Sequence, residues 1–389
     1  MRSSLKRGLL RLVGISLSLA LVGLMGLYVV IPPYIASLGG SIFLIGAIYS
    51  AVSVARALSK VASGFIRDRL GEKPIFLLSR ALYALAFLAL FLSSDISHVA
   101  LGLLLSALAT GFELPAFMSA TATVVAETAF TATLFGVILT VRSAPVVIAP
   151  VLTGFIADNY GVKAVFLTGV FLSIVSFLLL CKISVERREK TKERVTGQKP
   201  IWRKEFIILM ASTYFLFASL AALVPIFSHW VVKKLGYSYT VLGFMLLARN
   251  ITASLSRIYS GTLADKLGDL NLLMLVGLSR TTALIVLSCT KDPLMLTIAL
   301  SMHEAFVAAP PRNAYISKTI SKENYGKAFG AIGLAQELGR MTGPILAGYV
   351  AQIYCHEIAF TVLALILVFY TALILLLKFI SKNSCKQLA

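Results

Sequence analysis

Arg56, Glu113, Arg142, Arg249, Glu304, Glu337 and Arg340 each fall inside a long apolar run of this chain. Carboxylates and guanidiniums in such surroundings can pair, carry protons or grip a charged solute. At a bilayer centre each would cost about 2.5–3.5 kcal/mol on insertion scales, and together on the order of 20 kcal/mol if they faced lipid. No marginally stable fold absorbs that sum, so these residues are expected to face one another or a water-filled cavity. Desolvation favours a neutral carboxyl and a nearby arginine favours a charged one, so an acid whose surroundings alternate can take up and release a proton. Glu113 and Glu304 are the candidate proton-coupling acids. Arg142 and Arg249 are their candidate partners, or alternatively the groups that hold an anionic solute. Glu337 and Arg340 lie three apart, share a helix face and are expected to neutralise each other.

The elements that position these groups are read from composition and pattern. Hydrophobic residues make up 58 % of the 389 residues and charged ones 14 %, with a mean hydropathy of +0.88. The apolar runs are long enough to cross a hydrocarbon core at about 20 residues each, and a helix satisfies its own backbone there. Twelve runs fit, predicting an all-α integral membrane protein with spans near 12–35, 42–66, 74–93, 98–126, 131–157, 163–183, 205–232, 239–264, 271–290, 294–317, 327–354 and 358–379. The one long polar stretch, Ser184–Lys204, divides residues 1–183 from 205–389 and reads as a solvated tether between two six-helix halves.

The halves are related. Leu58–Gly71 reads LSKVASGFIRDRLG, and Leu255–Gly268 reads LSRIYSGTLADKLG. The second copy, Gly261 through Asp265, Lys266 and Gly268, resembles the G-x-L-A-D-[RK]-x-G signature of the major facilitator superfamily. The first copy matches it at Gly64, Asp68, Arg69, Gly71 and Lys73, with Arg67 where the family has a small residue. A second repeat places Gly330, Gly339, Gly343-Pro344 and Gly348 on span eleven beside Gly136, Pro150 and Gly154 on span five. Small residues at such spacings let helices approach closely. The span-eleven pattern resembles a glycine-proline element that antiporters of the superfamily carry on helix five.

The resemblance implies the fold of that superfamily, with alternating access between two halves. It also implies signature loops on the cytoplasmic face that gate the cavity, and a cavity lined by spans 1, 4, 7 and 10 with 2, 5, 8 and 11 beside it. All the mid-span charges fall on those inner spans. Arg80 and Arg280, at the starts of spans three and nine, are expected to brace the signature loops. His229 and His303 read as lone polar packing residues.

Charge placement sets orientation. The net charge of +19 gathers before span one, in the signature loops, in the middle linker, before span eleven and at the C-terminus. All of these fall on one side, which the positive-inside rule makes cytoplasmic, with both termini there. Such charge is attracted to anionic lipid and implies no nucleic-acid partner. Cys181, Cys289, Cys355 and Cys385 have no pairwise spacing, so neither metal nor disulfide framework is implied, and no cofactor. The first run is too long for a cleaved leader and carries Pro32-Pro33.

These readings lead to a secondary active transporter of a small solute in the plasma membrane, working as a monomer. Proton-coupled export of drugs or organic solutes is expected, with proton-coupled uptake of an organic anion as the alternative. A membrane-embedded enzyme would need a nucleophile–base or metal constellation, and a non-transporting sensor would not need the midplane charges.

Overall fold

The computed structural model describes residues 2–125, 131–183, 202–321 and 324–386. Linker residues 184–201, the side chain of Asp68 and the surroundings of Gly136 lie outside the described residues. Every regular element described is helical: α1 (Arg2–Gly23), α2 (Leu27–Ser37), α3 (Ile42–Leu70), α4 (Glu72–Phe91), α5 (Ile96–Val125), α6 (Thr131–Tyr160) and α7 (Val162–Lys182) come first. They are followed by α8 (Lys204–His229) with a π turn at Trp230–Lys234, α9 (Tyr239–Leu267), α10 (Asp269–Cys289), α11 (Pro293–His303), α12 (Ala309–Thr319), α13 (Tyr325–Ile353) and α14 (His356–Lys386). Among the described residues, nine helices are long and apolar enough to cross a membrane.

Two predicted spans are each broken in two, correcting the expectation of continuous helices there. Span one divides into α1 and α2 at residues 24–26, where the Gly26 N–H leaves the helix and donates to Thr153 Oγ1 at 2.9 Å. Span ten divides into α11 and α12 at residues 304–308. Pro310 and Pro311 supply no N–H to the carbonyls four residues back, so the helix cannot run through. At the start of the break, the carbonyls of Glu304 and Ala305 are taken up by side chains. Ser256 Oγ donates to the Glu304 carbonyl at 2.6 Å and to that of Ala305 at 3.0 Å, and Tyr259 donates to the latter as well. The start of α11 is capped in the ordinary way, with Pro293 in the first turn and the Asp292 carboxylate accepting from the Met295 N–H at 2.9 Å.

The chain separates into two compact units. The first comprises Met1–Gly40, Ala51–Thr191 and Tyr237–Phe244; the second comprises Ser41–Ser50, Lys192–Gly236 and Met245–Ala389. In the first, Leu12, Ile15 and Leu19 of α1 pack with Ile75 and Phe76 of α4, Phe117 of α5 and Ile138 of α6. In the second, Trp230 of the π turn meets Phe360 of α14 edge-on and stacks on His356, while Phe227 of α8 packs tilted against Phe360.

Helix packing relies on absent side chains. A Cβ on Gly339 would meet the Ala218 backbone nitrogen at 2.8 Å, and one on Gly343 would meet the Ala218 carbonyl carbon at 2.6 Å, so α8 and α13 touch backbone to backbone. Within the first unit, a Cβ on Gly154 would come within 2.7 Å of the Tyr239 carbonyl carbon, and one on Gly243 within 2.6 Å of the Pro150 oxygen. Within the second, a Cβ on Gly348 would lie 2.8 Å from the Ile42 oxygen, and one on Gly46 2.9 Å from the Pro344 carbonyl carbon. Gly330 departs from the packing role expected of it: a Cβ there meets nothing within 4 Å among the described residues.

Candidate functional site

Each unit buries one carboxylate between two guanidiniums. In the first unit, Glu113 on α5 is 4 % exposed. Its Oε1 accepts from Arg142 of α6, at 2.5 Å from Nη2 and 3.2 Å from Nε. Its Oε2 is bridged by Arg80 of α4 and accepts from Ser79 Oγ at 3.3 Å. Arg80 has no exposed surface; it also donates to Ser79 Oγ at 3.0 Å and lies 4.7 Å from the Tyr83 ring centre. Arg142 lies over Phe117 at 4.9 Å. Such charges are tolerable inside an apolar bundle because each is both paired and hydrogen-bonded.

The second unit builds its version at the helix break. Glu304 is the first residue past α11, so its side chain projects from the end of a half-helix. Oε1 accepts from Arg249 Nη2 of α9 at 2.5 Å and lies 3.4 Å from His303 Nδ1, while Oε2 accepts from Arg280 Nη2 of α10 at 3.2 Å. Glu304, Arg280 and His303 are all buried. The two clusters are analogous without being strict repeats. Both take an arginine from the third span of their half (α4 and α10), but the second arginine comes from α6 in one and α9 in the other.

The remaining mid-span charges do not join these clusters. Glu337 and Arg340 pair along α13 at 2.8 Å, and Arg340 lies over the Phe217 ring at 4.8 Å. Tyr214, another aromatic of α8, shares a hydrogen bond with Thr342 of α13 at 3.0 Å. Arg56 on α3 is half-buried, and its Nε is enclosed without a hydrogen-bond partner among the described residues.

The signature loops are tight turns for a backbone reason. Gly71 and Gly268, the last residue of each copy, have φ of 84° and 90°, a region that residues with a Cβ rarely adopt. Asp265 and Lys266 are exposed, as is Arg69. A Cβ on Gly64 or Gly261 would meet nothing within 4 Å among the described residues, so neither is held there by close packing. Lys73 donates to the Cys181 carbonyl at 3.0 Å. The buried acid beside the second copy is Asp269, whose Oδ2 takes a bond from Lys318 at 2.7 Å.

Several buried polar groups have partners that differ from those the sequence suggests. Arg80 and Arg280 do not brace the signature loops: they lie about two and three helical turns inside their helices, about 12 and 17 Å along the axis from the helix starts, and end on Glu113 and Glu304. Their position within the apolar run was the available signal. His229 is not alone either; it stacks on His356 with ring centres 5.1 Å apart and shares a 2.9 Å hydrogen bond with it. Arg312, in the first turn of α12, is buried too, and lies inside the apolar run of span ten without having been among the candidates.

A family model for the Major Facilitator Superfamily matches residues 13–231 and 207–384. The multi-drug resistance efflux pump PmrA of Streptococcus pneumoniae is 26 % identical over 338 residues, spanning 84 % of this chain and 84 % of that protein. Among solved structures, the nucleoside transporter NupG superposes with a TM-score of 0.74 at 15 % identity, covering 95 % of this chain and 98 % of that one. The human organic anion transporter MFSD10 (TETRAN) gives a TM-score of 0.66 at 16 % identity, covering 95 % and 99 %.

Proposed function

Because this chain belongs to the major facilitator superfamily, and is thus a multi-pass membrane transporter rather than an enzyme, we propose that it exports drugs or other organic solutes in exchange for protons. The observation that carries the reading is the pair of buried carboxylates, Glu113 and Glu304, each shared by two guanidiniums from different helices. A proton arriving on such an acid cancels its charge and releases its arginines, and re-forming the pair expels the proton. Helices tied through that carboxylate therefore have a reason to move when it titrates, which couples proton passage to alternating access. The efflux-pump relative supports export over uptake. The direct test is a panel of fluorescent drugs in proteoliposomes under an imposed pH gradient. Gradient-dependent movement of at least one dye supports the reading; its absence across the panel with folded protein removes the proton.

In this reading both termini and the linker Ser184–Lys204 are cytoplasmic, since the basic residues gather there. Single-cysteine proteins in intact cells should react with an impermeant thiol reagent at Cys355 and stay unlabelled at Lys192→Cys. The opposite pattern would invert the topology. Asp68 and Asp265, at the ends of α3 and α9, act as latches that hold the cytoplasmic side shut while the other side is open. Asp68→Asn is expected to slow transport while sparing expression and substrate binding. Unchanged flux in both Asp68→Asn and Asp265→Asn would leave the repeated signature with a role in packing alone.

A further inference from the structure

We propose that the second unit holds a site for the head group of an organic anion (a carboxylate, sulfonate or phosphate) built on Arg312. The inference rests on the transporter reading and names a substrate class for it. Arg312 is only 6 % exposed. Among the described residues no carboxylate lies within ion-pair distance of it. Both of its Nη atoms, at 3.1 and 3.0 Å, donate to Gln336 when that amide presents its oxygen, the orientation that avoids setting donor against donor. An amide dipole supplies no compensating charge, and Nε–H is enclosed with no hydrogen-bond partner among the described residues. The ring of Phe217 lies 5.9 Å from the guanidinium carbon and 4.8 Å from that of Arg340. Arg340 is paired with Glu337 at 2.8 Å, so among the described residues the charge of Arg312 has no carboxylate of its own in this cluster.

A buried, uncompensated guanidinium is costly, and a chain that keeps one has a use for the missing anion. The unpartnered Nε–H and the neighbouring Nη–H form the side-on fork that matches two oxygens of a carboxylate or phosphate. Arg312 also sits in the first turn of α12, where the helix dipole favours negative charge. Pro310 and Pro311 remove two backbone donors from that turn, so recognition falls to the side chain. The half-buried Phe217 ring suits an apolar or aromatic body behind the head group. Arg142 and Arg249, the arginines the sequence suggested for an anion, are instead committed to Glu113 and Glu304.

The test is equilibrium binding to the full chain in phosphatidylcholine nanodiscs without a pH gradient, so that failure of proton coupling leaves the readout untouched. The probes are 2-naphthoate and its neutral counterpart 2-naphthamide. Naphthoate is expected to bind, and naphthamide to bind at least about thirtyfold more weakly. Arg312→Gln should bring naphthoate down to the level of naphthamide, whereas Arg312→Lys should recover part of the difference. Gln336→Glu would supply the missing charge from within the chain and abolish naphthoate binding in a folded protein. Replacing part of the lipid with phosphatidylglycerol separates the two sources of the anion. Loss of naphthoate binding to the parent protein with naphthamide binding unchanged assigns the site to a lipid head group, and no competition assigns it to a free solute. Equal binding of the two probes, or naphthoate binding unchanged in both Arg312→Gln and Gln336→Glu, would overturn the proposal.

Discussion

Proteoliposomes carrying Glu113→Gln or Glu304→Gln are expected to exchange substrate across the membrane yet fail to concentrate it under a pH gradient. Glutamine keeps the shape of the side chain but cannot take and release the proton. Without that charge, two guanidiniums face a neutral amide in each cluster, Arg80 with Arg142 or Arg249 with Arg280. Removing one partner of a buried pair costs about 3–5 kcal/mol, so both variants should also unfold at lower temperature. Downhill exchange is therefore measured on the same preparations, since it requires folded, moving protein without a proton step. Glu337→Gln should lose less of either activity, because the Glu337–Arg340 ion pair lies along one helix, whereas Glu113 and Glu304 are each bridged by arginines from two others. If Glu113→Gln and Glu304→Gln both still accumulate substrate with protons as the only driving ion, the acids are static braces and coupling resides elsewhere.

Gly343→Val should yield little folded protein, and what is recovered should melt well below the parent. A Cβ at Gly343 would lie 2.6 Å from the Ala218 carbonyl carbon, far inside contact distance, and the obstacle is helix backbone that has no rotamer to escape into. Overpacking against yielding side chains already costs about 1–3 kcal/mol, and here α8 and α13 must separate along their length. Gly339 would meet the same strand of backbone at Ala218 N, so the contact cannot be relieved by sliding one turn. Gly330→Val on the same helix is the matched control, with no neighbour within 4 Å of its Cβ among the described residues. Melting followed by size-exclusion after heating distinguishes them. Similar melting of the two variants would mean that α8 and α13 do not depend on backbone contact.

Much of the fold was legible because membrane helices announce themselves one at a time. Length, apolarity and intervening charge are local quantities, and they placed the ends of α4 and α7 within a few residues of those observed. The repeated signature points to the family from loop chemistry, and the cost of charge in hydrocarbon alone singles out Glu113 and Glu304 as acids that must avoid lipid. The breaks at residues 24–26 and 304–308 were less visible. Pro310-Pro311 is a local stop signal, yet a helix interrupted in the middle of a span is stable only if distant hydroxyls such as those of Ser256 and Tyr259 take up the freed carbonyls.

Partner choice belonged to tertiary structure alone. Sequence established that acids and arginines lay at similar depths, but depth does not determine which guanidinium meets which carboxylate. That depends on how far each helix is rotated about its axis and shifted along it. Both are set by packing contacts such as Gly339 and Gly343 against Ala218, made between residues far apart in the chain. So Arg80 and Arg280, read as loop braces, close on Glu113 and Glu304, while Arg340 turns back to Glu337 on its own helix. Arg312 is left without a carboxylate among the described residues. A residue's charge is a property of its own atoms and can be read in one dimension; the neighbour that compensates it is a property of three.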